Sequence, residues 1–481
     1  MNDIRTGRNF IDGAWADSAG DGVLSVVNPA TLQVVAEVPD SDERDVDRAV
    51  TAACQAFGTW RWVNPSIRAG HLHAVGDAVA AAETPLAESV TREMGKPLSE
   101  ARGEVRKLAK TFHFYAEETT RSLGAVIPNE EDGFTSLVER EPIGVVAAIT
   151  PWNYPLELIG WKLAASLGAG CTIVVKPSEY TPSSAIELFR CLETAGVPAG
   201  VANLVTGSGD TGRALVAHPA INKVAFTGSG DTGAAIVKTV HGVKPTSMEL
   251  GGNCPLVVTG HADLDAAVAG AARRAFRNAG QICIAINRAY VHEDLYEEFV
   301  QRLGSAADGL VVADGLVKED ADVGPVANQG ILEKVERHVA DARARSARVV
   351  AGGRRPAQPE HGYFYAPTVL ADCTPDMLVM HEETFGPVVG VAPYRSLDDV
   401  VDLANSTPAG LAAYVYTEDL SETFALGRRL DFGNVAVNNV DAGIMNAPYG
   451  GRKGSGHGYE HGREGLDGYL QLKHLRIRHG A

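Results

Sequence analysis

Residues 201–218, "VANLVTGSGDTGRALVAH", and 223–240, "KVAFTGSGDTGAAIVKTV", share one heptapeptide, TGSGDTG, at 206–212 and 227–233. Each stretch reads as a short apolar run, then Gly-x-Gly-x-x-Gly, then a helical period. The glycines are Gly207, Gly209 and Gly212 in the first copy and Gly228, Gly230 and Gly233 in the second. A buried strand, a turn that favours small residues and a helix make a βα unit. The glycine pattern alone is a weak sign of a dinucleotide site, because such turns are common.

The same rhythm extends upstream. "GVVAAIT" (144–150) and "TIVVKPSE" (172–179) read as buried strands, "PLELIGWKLAASLGAG" (155–170) and "SSAIELFRCLETAG" (183–196) as helices. Alternation of this kind predicts an α/β domain with a parallel sheet, whose ligands bind at the C-terminal strand ends. A second α/β region follows Gly252: "NCPLVVT" as strand, "DLDAAVAGAARRAFRNAG" (263–280) as helix, and "RAYVHEDLYEEFVQRL" as strand and helix. Residues 41–120 read as amphipathic helices. Residues 122–143 flank an Asn-Glu-Glu-Asp-Gly turn and predict a projecting hairpin, and the alternating "LQLKHLRIR" near the C-terminus predicts an edge strand that needs a partner. Residues 352–362 read as a turn-rich connection.

The chain has 481 residues, enough for two or three domains, with 45% hydrophobic and 21% charged residues and a net charge of −17. An acidic balance argues against nucleic acid as a partner. The longest apolar stretch, "IGVVAAITPW", is too short to span a membrane. The N-terminus shows no basic stretch followed by an apolar run, so no signal peptide is expected. The six cysteines show no metal-ligand spacing and read as reduced thiols of a cytoplasmic protein, five of them buried small hydrophobes.

Cys283, in "NAGQICIAINR", follows a Gly-Gln pair after a long helix. Other polar residues stand in apolar settings: Glu249 in "SMELGGN", Asn153 in "AITPWNYP", Glu382 and Glu383 in "MHEETFGPVVG". Taken singly, each also reads as a cap, a solvated turn or a buried structural residue.

Together with "VVKPSEYTP" (174–182), "KVAFTGS" (223–229), "ELGGNCP" (249–255), "EETFGPV" (382–388) and "APYGGRKGSGHGYE" (447–460), the "PWNYP" and "GQICIAINR" stretches resemble the aldehyde dehydrogenase superfamily over nearly the whole chain. The resemblance implies two Rossmann-like α/β domains plus a small β oligomerisation element. An NAD-binding domain would comprise 1–121 and 144–251, a catalytic domain 252–445, and the oligomerisation element 122–143 and 467–481. It implies Cys283 as nucleophile, Asn153 with the Cys283 N–H as oxyanion donors, and Glu249 as the base that hydrolyses a thioester. It implies cofactor contacts from Ile149, Trp152, Lys176, Glu179, Gly207, Gly212, Phe226, Gly228, Ser229, Thr232, Gly233, Leu250, Glu383 and Phe385. Gly230 is expected to be incidental. A carboxylate at Glu179 accepts ribose hydroxyls and repels a 2′-phosphate, so NAD is expected over NADP. A ribose-binding glutamine often found in this family is replaced by Ile331, with Gln329 nearby.

For the substrate, Asn153, Glu157 and Trp161 recur every four residues and are expected on one helix face. Glu157 reads either as a tunnel residue or as a solvated one. Arg277 resembles the carboxylate-binding arginine of the succinate-semialdehyde branch, but Trp161 stands where that branch carries a second arginine. Arg277 alternatively pairs with an acid. Ile282, Ile284, Ile444 and Met445 are expected along the tunnel. A small semialdehyde, an aminoaldehyde and a neutral or aromatic aldehyde remain open as substrates. CoA-acylating, non-catalytic and cysteine-hydrolase readings compete, and the presence of Glu249 and the cofactor set opposes them. A homodimer or homotetramer is expected.

Overall fold

Each copy of the repeat joins a strand to a helix. In the computed structural model, which describes residues 5–479, Ala202–Leu204 leads to Gly209–Ala217 and Lys223–Thr227 leads to Gly230–Thr239. Residues 1–4 of the first expected domain and 480–481 of the tail lie outside the described residues. Both strands belong to one eight-stranded sheet. Its central strands run parallel in the order Thr246–Glu249, Lys223–Thr227, Val145–Ile149, Thr172–Lys176, Ala202–Leu204. From Val145–Ile149 the chain steps outward twice, then returns to the opposite side for Lys223–Thr227. This reversal opens a crevice at the C-terminal ends of those two strands. The second TGSGDTG lies at the crevice, and the first follows the far strand of the parallel run. Every residue of Thr172–Lys176 and Lys223–Thr227 is buried, as helices on both faces require.

The sheet's edges are antiparallel. Asn9–Ile11 and Ala14–Ala16 close one side, and Gly456–His457, from far downstream, pairs with Thr246–Glu249 on the other. That last pairing carries the 449–461 segment toward Glu249. The expected helices over 41–120 are Glu43–Trp60, Pro65–Ala81, Glu83–Met94 and Leu98–Thr119.

A second, seven-stranded sheet spans residues 348–437 and 254–292, with Ile286–His292 between Val388–Tyr394 and Cys254–Val258. It is parallel except at Arg348–Ala351, and its apolar core joins the helices Leu264–Phe276 and Tyr296–Asp308. The helix expected over 263–280 stops at Phe276. Asn278, Ala279 and Gly280 take φ of 51°, 53° and 70°, a left-handed run that a right-handed helix cannot absorb. A Cβ on Gly280 would stand 2.0 Å from the Gly386 carbonyl oxygen, so only glycine fits there. Cys283 is therefore presented from an irregular turn.

The tail strand Leu470–Arg478 finds its partner within the chain. It pairs antiparallel with Phe134–Pro142 along its whole length, and Ala125–Ile127 closes the hairpin on the other side. All six cysteines are free, but Cys54 is exposed on its helix rather than buried as expected. Among the described residues, no helix is long and apolar enough to cross a membrane.

Candidate active site

Cys283 is half-buried, and its Sγ lies 3.4 Å from the Tyr449 hydroxyl. Burial pushes its thiol up to about 12, so the resting group holds its proton. Asn153 precedes the helix Glu157–Ala169 and is 3% exposed. Its Nδ2 donates one hydrogen bond to the Gln281 carbonyl at 3.0 Å, and its Oδ1 has no partner. An amide nitrogen carries two N–H groups, so one is left to face the tunnel. The turn itself is cross-braced: Asn278 Nδ2 donates to the Asn153 carbonyl at 3.1 Å, and Gln281 Oε1 accepts from the Ala327 N–H at 2.8 Å.

One helix supports both loops. On Leu98–Thr119, residues 100, 104 and 107 follow the i, i+4, i+7 spacing of a single face. Glu100 accepts from Arg277 Nε at 3.4 Å and the Asn278 N–H at 3.2 Å. Glu104 accepts from the Leu156 and Glu157 N–H groups at 2.9 and 3.1 Å, capping the helix that follows Asn153. Its other oxygen pairs with buried Lys96, whose Nζ lies 3.5 Å from the Tyr154 ring centroid. Sequence reading missed this brace, because charges on an amphipathic helix read as its solvent face.

Glu249 ends its strand 3% exposed, with no hydrogen-bond partner for either carboxyl oxygen. Burial, then the nearby Glu460 carboxylate, push its pKa well above the ordinary range, while Lys162 opposes them. Thr227, the register partner of Glu249, accepts from Lys162 Nζ at 2.6 Å. Lys162 in turn pairs with Glu460 in a buried ion pair. A glutamate that keeps its proton to higher pH than an exposed one is moved toward the neutral range in which a general base works.

A cavity of about 590 Å³ opens along the crevice. Of the expected cofactor residues, Ile149, Trp152, Lys176, Glu179, Gly212, Phe226, Gly228, Ser229 and Thr232 line it. Lys176 Nζ lies 3.8 Å from Glu179 Oε2. Ser229 caps the helix Gly230–Thr239, accepting from the Thr232 N–H at 3.3 Å. Gly207, Gly233, Leu250, Glu383 and Phe385 lie off this wall. A Cβ on Gly233 would meet the Leu250 side chain at 2.6 Å, so this glycine serves close packing. A Cβ on Gly230 would meet nothing within 4 Å. Glu383 Oε1 accepts from the Gly252 N–H at 3.0 Å, and burial raises its pKa to about 7. The Phe385 ring meets Trp152 edge-on, at 5.4 Å between centroids. Gln329 bonds Glu333 at 2.8 Å, and Ile331 packs against the second core, so neither lines the cavity.

A second, smaller cavity of about 70 Å³ is lined by Cys283. Of the residues expected along the substrate tunnel, Asn153, Glu157, Trp161, Arg277, Ile282 and Ile284 line it. Glu157 is 7% exposed on this wall and 3.9 Å from Lys107. Burial raises its pKa, and Lys107 opposes the rise. Asn153 precedes the helix but shares this wall. Met445 does not line the cavity; it packs behind Trp161 and Tyr449. Ile444 points outward, 54% exposed. Tyr154, Lys107, Arg274, Tyr449 and His461 also line the tunnel, unforeseen from sequence. Tyr449 and His461 arrive with the downstream edge strand, a long-range placement that local pattern does not encode.

The chain matches the model of the Aldehyde dehydrogenase family over residues 15–475. A 3-sulfolactaldehyde dehydrogenase of Pseudomonas putida is 42% identical over 468 residues, covering 97% of this chain and 96% of that protein. A succinate-semialdehyde dehydrogenase [NADP(+)] of Escherichia coli is 40% identical over 470 residues, covering 97% of each. A solved E. coli NADP-dependent enzyme matches at TM-score 0.96 and 39% identity, covering 99% of this chain and 100% of that one. With the family model spanning almost the full length, the chain belongs to the aldehyde dehydrogenase family, whose members are NAD(P)-dependent oxidoreductases acting on aldehydes.

Proposed function

We propose that the chain oxidises a small, anionic functionalised aldehyde to its carboxylic acid, with NAD as cofactor and Cys283 as nucleophile. The observation that carries this reading is the meeting of Cys283 and Asn153 on one tunnel wall, with the unpartnered carboxyl of Glu249 close enough to perturb the thiol. The thiol gives its proton to solvent as Sγ bonds to the aldehyde carbon, giving a thiohemiacetal whose oxygen carries the negative charge. The second Asn153 N–H and the Cys283 N–H then hold the oxyanion. Collapse to a thioester expels hydride, and a bound nicotinamide supplies its acceptor. Glu249, once ionised, takes a proton from the water that releases the acid.

The first cavity fits a dinucleotide. Its volume is in the range of ligand sites, and a capped helix N-terminus and a lysine–glutamate pair both line it. The Glu179 carboxylate supports NAD. Arg213 also lines this wall, but Asp210 holds it at 2.7 Å. Turnover of an aldehyde panel with each cofactor tests this: kcat/KM is expected to be higher with NAD, and a preference for NADP would overturn the assignment.

For the substrate, relatives named for succinate semialdehyde and 3-sulfolactaldehyde act on anionic aldehydes. Arg277 lines the tunnel and uses only Nε on Glu100, leaving both Nη groups for a ligand. Arg277→Ala is expected to raise KM for succinate semialdehyde at least tenfold and for butanal much less. Equal changes on both would remove the anionic reading. We further propose that residues 1–121 with 144–251 form the NAD-binding domain and 252–445 the catalytic domain. The three-stranded element of 122–143 and 467–481 would support a cytoplasmic homo-oligomer.

A further inference from the structure

Each charged side chain of the tunnel has one ionic partner. Lys107 faces Glu157 at 3.9 Å, Arg274 reaches Asp441 at 3.0 Å, and Arg277 reaches Glu100 at 3.4 Å. Besides Asn153 Oδ1, Arg274 Nε and the Arg277 Nη groups, its unmatched polar atoms lie on two aromatic side chains. His461 is 5% exposed, lines the tunnel, and has no hydrogen bond at Nδ1 or Nε2. Trp161, 8% exposed on the same wall, has none at Nε1. The two rings touch edge-to-face at 4.2 Å, and His461 lies 5.4 Å from the Tyr449 ring, whose hydroxyl meets Cys283. Buried polar atoms left bare cost free energy, so three of them together on one tunnel wall call for a polar partner there.

We infer that His461 and Trp161 form a subsite for a substrate hydroxyl group, two or three carbons from the aldehyde end. The chemistry selects the group. A neutral imidazole offers one donor and one acceptor, and an indole offers one donor. A hydroxyl both accepts and donates, so it satisfies the Trp161 N–H and the bare imidazole nitrogen together. A carboxylate accepts from the two N–H groups but leaves the imidazole's acceptor nitrogen bare, and an ammonium has nothing to accept from the indole. Burial keeps the imidazole neutral, lowering its pKa to about 4, with Lys107 and Lys162 adding to the effect. The Ile444 carbonyl faces one ring nitrogen and opposes this, although it falls outside hydrogen-bond geometry. His461 also holds a φ of 60°, which fixes the ring's origin at the start of the helix Gly462–Asp467. The subsite rests on the aldehyde-oxidising reading above and adds a hydroxyl to the substrate's description.

The test compares lactaldehyde and 3-hydroxypropanal with propanal, the same skeleton without the hydroxyl. Wild-type enzyme is expected to favour at least one hydroxylated aldehyde tenfold or more in kcat/KM. His461→Phe keeps the ring and removes both nitrogens, and it is expected to lower that preference at least tenfold. His461→Gln, which restores a donor and an acceptor, is expected to recover part of it. Calorimetric binding of lactate against propionate reads the same preference without turnover, so it separates failure of the subsite from failure of the oxidation itself. A wild type with no preference for the hydroxylated partner in either measurement would overturn the subsite. So would a His461→Phe variant whose preference is unchanged.

Discussion

Cys283→Ala is expected to lower aldehyde-dependent reduction of NAD at least about 10⁴-fold, to the limit of detection, while leaving thermal stability nearly unchanged. Covalent catalysis splits one difficult step into two easier ones, and nothing else on this tunnel wall replaces the thiol. The nearest competitor is Cys254, whose Sγ donates to the Cys283 carbonyl at 3.5 Å. It is fully buried, and burial raises its pKa further than that of Cys283, so it is a packing residue. Cys254→Ala is expected to keep most activity. Substantial turnover by Cys283→Ala, or its loss only in Cys254→Ala, would reassign the nucleophile. Because the resting Cys283 thiol lies near 12, its alkylation by iodoacetamide is expected to be slow at neutral pH and to accelerate as pH rises.

Local pattern was enough for the parallel sheet and its crevice. Buried strands such as Lys223–Thr227 are continuous apolar runs, and each is punctuated by glycine and followed by a helical period. The order of those strands was not readable, since the step from Ala202–Leu204 to the far side of Val145–Ile149 leaves no local mark. Cys283, Asn153 and Glu249 stood out because each sits in a motif of the family. Glu104 and Glu100 did not. They lie on a helix rich in charge, and only the fold shows two of those charges turned inward onto the site loops. His461 was silent for a similar reason. Its neighbours in sequence are glycines and charges, while its neighbours in space, Trp161 and Tyr449, come from other elements. The early stop of the helix at Phe276 was hidden because "RNAG" has ordinary helical composition until Gly280. The left-handed run at Asn278 and Ala279 is imposed by the bracing of Gln281 and Glu100.

Glu249→Gln separates the two halves of the reaction. Gln keeps the volume and one acceptor but cannot take a proton, so formation of the thioester is expected to survive and its hydrolysis to slow. The expected record is a burst of NADH close to one per active site, then a steady rate lower by about 10²- to 10⁴-fold, the usual worth of a positioned base. The pH profile carries the sign. Burial disfavours the carboxylate, so Glu249 stays protonated to higher pH than an exposed glutamate. Hydrolysis needs the ionised form, so the steady rate of the wild type is expected to climb with pH above the ordinary carboxylate range of about 4–5. That limb is expected to vanish in Glu249→Gln while the burst remains. Glu383, half-buried and near 7, accepts from the Gly252 N–H and has a different signature: its loss is expected to weaken the burst itself. Loss of the burst in Glu249→Gln, with no change in the steady pH limb, would place the base elsewhere. The Lys162–Glu460 pair beside it would then be the next group to replace.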